Sequence, residues 1–210
     1  MNGPCIVVEG NLTLQPEARL SLEGCKNRAY ESDRKGGCLH VAGDAELLSG
    51  HLCLRACDAF SDEVYSMFED NSGGGGVFVG GTLRNRNATI HSEGCHADYG
   101  GAIYASSMIV SGGNVTIMES SGQSGGAIYA RGHFSMSGGN VTINGSTVYS
   151  YGGAMHVINN MSISGGNMLI KKSSAKLLGG AICADSSMGI SGGNVVIKET
   201  EAWNGNAGAI

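Results

Sequence analysis

Proline is nearly missing from this chain, with two residues in 210. A proline-rich rod is thereby excluded, and so is collagen, which needs glycine at every third position. Aromatic residues make up 6% and charged residues 15%. The formal net charge is −5, so no basic footprint points to nucleic acid. No run approaches the roughly 18 consecutive apolar residues of a membrane-spanning helix. The first residues, MNGPCIVVEG, lack both a basic region and a long apolar core, so no signal peptide is expected. The seven cysteines are an odd number, which leaves at least one without a partner in a monomer.

Glycine is what the chain has in excess: 36 residues, against a usual share of roughly 7%. It recurs in a pattern. Gly100 opens GGAIYASSMIVSGGNVTIMESSGQS, Gly125 opens GGAIYARGHFSMSGGNVTINGSTVYSY, Gly152 opens GGAMHVINNMSISGGNMLIKKSSAKLL, and Gly179 opens GGAICADSSMGISGGNVVIKETEAWNGN. Weaker copies start at Gly3, Gly36 and Gly74, and a partial one at Ala207. The steps between starts are 33, 38, 26, 25, 27, 27 and 28 residues. Self-similarity at such a period marks a stacked array. The two long steps carry polar, irregular surplus, read as loops near 26–35 and 58–73. Regular repeats run over 74–210.

Within a repeat the apolar period is 2, so the elements are strands. Three are expected in the Gly100 unit: Ala102–Ala105, Met108–Ser111 and Val115–Ile117. Five apolar columns align between repeats. One is Ile103, Ile128, Met155 and Ile182, and a second is Met108, Phe134, Met161 and Met188. The others are Val110, Met136, Ile163 and Ile190; Val115, Val141, Met168 and Val195; and Ile117, Ile143, Ile170 and Ile197. Glycine density and β-branched columns oppose helix, and blades of a β-propeller take about 40 residues. The expected fold is all-β: a right-handed parallel β-helix of about seven coils, with three short strands per coil. It spans 1–210 as a single solenoid. The half-finished last repeat reads as a fragment of a longer chain. An open last coil would favour end-to-end self-association.

The recurring Gly-Gly-Asn suits a corner that needs positive φ. Stacked Asn114, Asn140, Asn167 and Asn194 then form a hydrogen-bonded ladder. Strand alternation places His40, Phe78, Tyr104, Tyr129, His156 and Cys183 on the outer side. This aromatic and histidine stripe is expected to face solvent and to contact a partner, a host-cell protein or a glycan. Cys25, Cys57 and Cys95 share one register, and Cys5 and Cys38 another. Like positions in adjacent coils would fall within disulfide range; buried reduced thiols are the other reading. Apart from Cys95 and His96, which are adjacent and point apart, no histidine has a second ligand at metal spacing, so neither a metal nor a cofactor is expected. No catalytic residue is assigned. Acidic residues concentrate only at Asp58, Asp62, Glu63, Glu69 and Asp70, read as solvated loop charge.

Gly-Gly-Ala-Ile at 100–103, 125–128 and 179–182, with Gly-Gly-Ala-Met at 152–155, resembles the GGA(I/L/V) motif of chlamydial polymorphic outer membrane proteins. Their companion motif, FxxN, is matched once, at Phe68-Glu69-Asp70-Asn71. The resemblance implies a passenger-type β-helix at a cell surface, used for adhesion and without catalysis. Other parallel β-helices are carbohydrate-active enzymes of the pectate-lyase type, which is the alternative reading. A purely structural stalk is the third.

Overall fold

The computed structural model describes residues 3–27, 35–59, 73–204 and 208. Among these there is no helix, and therefore none long and apolar enough to cross a membrane. The chain is all-β and its strands pair in parallel. Most of both expected loops, at 28–34 and 60–72, lies outside the described residues. So do the Phe68–Asn71 motif and most of the acidic concentration.

The pairing register carries the repeat. Ile103 lies beside Val77 on one side and Ile128 on the other, followed by Met155 and Ile182. Leu39 and Ile6 extend this column toward the N-terminus. The second column runs Leu12, Ala45, Leu83, Met108, Phe134, Met161 and Met188. All five expected columns are in register in this way. Their central members, such as Ile103, Ile128, Phe134 and Ile143, are fully buried and belong to one continuous core. Parallel strands lie about 4.8 Å apart, so each column packs methyl on methyl along its length.

Two early positions in these columns are polar. Asn85 replaces an aliphatic residue, yet its Nδ2 donates to the Ala88 carbonyl and its Oδ1 accepts from the Ala88 amide, at 3.1 and 2.9 Å. That closes the account of a fully buried amide. Ser92 is likewise buried and donates to Cys95 Sγ at 3.3 Å.

The strands are longer than expected, some of the expected ones are merged, and every repeat from Gly36 onward carries a further strand that was not expected. Ile103–Val110 is continuous, and Asn160–Lys171 runs through its Gly-Gly-Asn corner. The additional element is short: Asp58–Ala59, His96–Ala97, Ser121–Ser124, Thr147–Tyr151, Ser174–Ala175 and Glu201–Ala202 form a separate sheet, 6-stranded among the described residues. Its inward column is small (Ala59, Ala97, Gly122, Ala175) apart from Val148. Two-residue strands of small residues carry no periodic apolar signal.

Corners recur at fixed places. Gly100, Gly125, Gly152 and Gly179 have φ near +60°, and Gly113, Gly139, Gly166 and Gly193 lie between +72° and +82°. A third corner follows the last long strand: Gly24, Ala56, Gly94, Glu119, Gly145, Lys172 and Glu199 are all left-handed there. The second glycine of each Gly-Gly pair has a different cause. A Cβ on Gly101 would stand 2.5 Å from the Ser121 carbonyl oxygen and 2.3 Å from that of Gly126. The chain some twenty residues downstream returns to this point, leaving no space for a side chain.

Four cysteines pair at the same meeting point, which corrects the like-with-like bridging, and corrects the reduced-thiol reading for all but Cys95, which is buried and free. Cys5 joins Cys25 and Cys38 joins Cys57, with Cα–Cα distances of 5.8 and 5.5 Å. The bonds run between the two registers, within one repeat, rather than between like positions of neighbours. Cys53, Cys95 and Cys183 are free thiols.

Candidate functional site

In-register pairing brings the rings at positions 78, 104 and 129 into a stack. Phe78 and Tyr104 are parallel with centroids 4.5 Å apart, and Tyr104 and Tyr129 follow at 5.4 Å. A histidine meets each end edge-on: His40 on Phe78 and His156 on Tyr129, both at 5.3 Å. The structure does not leave this stripe in solvent. Phe78, Tyr104, Tyr129 and His156 are buried, and His40 is half-buried. Tyr99 and Ile158 pack over the stack, Tyr151 contacts His156, and Gly73 lies against the Tyr104 ring. Strand alternation places a side chain on the outer side of its strand; it does not show what the next segment lays over it. The stripe forms a second, smaller core.

The asparagine ladder lies on the exposed side. Asn140 Nδ2 donates to Asn114 Oδ1, and Asn167 Nδ2 to Asn140 Oδ1, each at 2.9 Å. Asn194 stands in register beside Asn167. The ladder's register continues into Thr89 and His51, and on the N-terminal repeats a different strand carries lateral ion pairs: Arg84 to Asp44 at 2.8 Å and Arg86 to Glu46 at 2.6 Å. The Asp44 carboxylate also accepts from the Thr82 amide at 2.8 Å. That backbone bond and the Arg84 partner hold its pKa below the ordinary value.

Beyond the end of the aromatic stack, His156, Cys183 and Asp185 converge. His156 and Cys183 are direct partners in parallel strands. Asp185 follows two residues later, on the same side of its strand. His156 Nε2 and Asp185 Oδ1 are 3.0 Å apart, and Cys183 Sγ donates to the same oxygen at 3.5 Å. One ligand atom from each residue lies within 4.8 Å of the other two. Burial, and then the neighbouring Asp185 carboxylate, push the Cys183 thiol up to about 11. His156 and Cys183 share an outer column in the sequence, one repeat apart, and that spacing was the available signal. Reading metal-ligand spacing along the chain alone misses it.

One exposed aromatic site was not foreseen. On the separate sheet, Tyr149, Lys176 and Trp203 follow the paired positions Val148, Ala175 and Ala202. Tyr149 is 61% and Trp203 74% exposed. Lys176 Nζ lies 4.2 Å from the Tyr149 ring centroid and donates to its hydroxyl at 3.1 Å. These residues, with Gly122, Thr147, Val148, Ser174 and Ala175, line an open groove of about 370 Å³. No protein-family model matches the chain, and neither a curated protein nor a solved structure matches it.

Proposed function

We propose that the chain is a non-catalytic recognition module on a right-handed parallel β-helix, displayed at a cell surface, and that it binds a glycan along the Tyr149–Lys176–Trp203 groove. Three features support the coil. Like strands pair in register one repeat apart, left-handed corners recur in each repeat, and disulfides clasp the two ends of single repeats. Right-handedness follows the strong rule for parallel crossover connections. The Gly-Gly-Ala resemblance supports the surface setting.

The observation that carries the binding role is the exposed aromatic column. A solvated tryptophan and tyrosine two strand spacings apart, about 9.6 Å, offer flat apolar faces to successive sugar rings of an extended polymer. The intervening Lys176 ammonium suits a carboxylate on the sugar, so an acidic polysaccharide is the favoured class. Among the described residues the groove lining contains no carboxylate to serve acid–base cleavage of a glycosidic bond.

Titration calorimetry with polyuronate oligomers tests the reading. The double variant Tyr149→Ala, Trp203→Ala is expected to weaken binding at least about tenfold, since aromatic contacts of this type contribute about 0.5–1.5 kcal/mol each beyond buried area. Its circular-dichroism spectrum should not change. Equal affinity of variant and parent, or no binding of any acidic or neutral polymer, overturns the reading. Release of reducing or unsaturated ends would favour the enzyme alternative.

A further inference from the structure

The geometry points to a divalent-metal site of the zinc class, held by His156 Nε2, Cys183 Sγ and an Asp185 carboxylate oxygen, with one coordination position open to solvent. It is independent of the glycan groove, which lies on the other sheet.

The donor atoms are already close to the required spacing. Metal–ligand distances of about 2.0–2.3 Å in a tetrahedral site set neighbouring donors about 3.3–3.8 Å apart. The His156–Asp185 and Cys183–Asp185 separations are 3.0 and 3.5 Å, and no pair exceeds 4.8 Å. Small rotations of two surface-side chains complete the fit. The imidazole is the fixed element: it is 5% exposed and wedged between the Tyr129 and Tyr151 rings. Cys183 is half-buried and the Asp185 side chain is 44% exposed. The fourth position therefore faces water, as in open rather than closed zinc sites.

The donor set argues for the metal class. One imidazole, one thiolate and one carboxylate suit zinc or cobalt; magnesium and calcium prefer oxygen ligands alone. Charge also balances, because a thiolate and a carboxylate neutralise a dication. Without metal the thiol keeps its proton and donates it to Asp185 Oδ1. Coordination forms the sulfur–metal bond and releases that proton to solvent. The cation then replaces the hydrogen bonds that His156 and Cys183 make to the same oxygen; Nε2 gives up the proton it shared with Asp185, and the neutral ring carries its proton on Nδ1 instead.

Cobalt(II) titration of the full chain reads this directly. Purification without reductant under argon keeps Cys5–Cys25 and Cys38–Cys57 closed. One equivalent of cobalt should produce the near-ultraviolet sulfur-to-cobalt charge-transfer band, and zinc should abolish it. Cys183→Ser should remove the band. Asp185→Asn should weaken cobalt binding about tenfold or more, while Cys53→Ser should leave both band and affinity unchanged. Both site substitutions lie toward the surface and should retain the parent circular-dichroism spectrum. Absence of the band, its survival in Cys183→Ser, its loss in Cys53→Ser, or an unaltered affinity in Asp185→Asn each overturns the proposal.

Discussion

At the scale of single residues, the third corner is where side chains and backbone disagree. Three of its seven members are glycine, but Ala56, Glu119, Lys172 and Glu199 adopt the same left-handed φ, between 49° and 55°. A side chain there costs about 1–2 kcal/mol, partly offset because glycine has more freedom to lose on folding. Glu119→Gly should therefore raise stability by about 0.5–1 kcal/mol, read as a higher urea midpoint; a lower midpoint would mean the Glu119 side chain holds a contact that outweighs the strain. Asp44 makes an opposite, pH-linked contribution. Its folded pKa lies below the unfolded value, so its stabilisation is complete above about pH 4. It is lost as the pH falls from there through the folded value, where the carboxyl takes up a proton and the Arg84 pair is broken. Urea midpoints followed down through that range should fall less steeply in Asp44→Asn than in the parent. Single residues also mark what the sequence conceals. The convergence of His156, Cys183 and Asp185 depends on two strands being neighbours, which no local spacing reports.

At the scale of the repeat, the position before the first strand and the position after the third corner form a matched pair. It is cystine in the first two repeats, Cys5 with Cys25 and Cys38 with Cys57. In register, the next repeats place Gly76 with Cys95, Ala102 with Ser120, Ala127 with Ser146, and Ala154 with Ser173. Alanine and serine are thus the uncrosslinked version of the same clasp, and Cys95 is a half-clasp facing a glycine. The double variant Ala102→Cys, Ser120→Cys should oxidise spontaneously to a third intra-repeat bond. It should add about 3 kcal/mol, the loop-closure value for a span of this length. Loss of two titratable thiols with a raised melting temperature is the expected signature; two thiols that remain reactive in the folded protein would show that the pair does not meet. The pairing was legible only in half. The sequence placed the cysteines in two registers, but like-with-like stacking was the natural expectation from in-register strands. What it lacked was the closure of each repeat on itself, which is also why the second Gly of Gly-Gly admits no Cβ.

At the scale of the whole molecule, the parallel stacking was readable because it rests on a repeated pattern. Columns such as Ile103, Ile128 and Ile182 need only a period near 26 and an alternation of 2 to be aligned, and the structure pairs them as aligned. The separate sheet and the burial of Tyr104 and Tyr129 were not readable in that way. Both depend on where a connecting segment lies across the array, and Tyr99, Ile158 and the short Ala-centred strands have no periodic signature of their own. The candidate binding face follows from the same fact: the rings the alternation placed outside are covered, and those on the short strands are exposed. Both covalent clasps sit in the first two repeats, and among the described residues the repeats beyond Cys57 carry no disulfide. Tension applied to the two ends of the chain would meet unequal resistance: later repeats would straighten to their full contour, while the segments inside Cys5–Cys25 and Cys38–Cys57 would each remain looped.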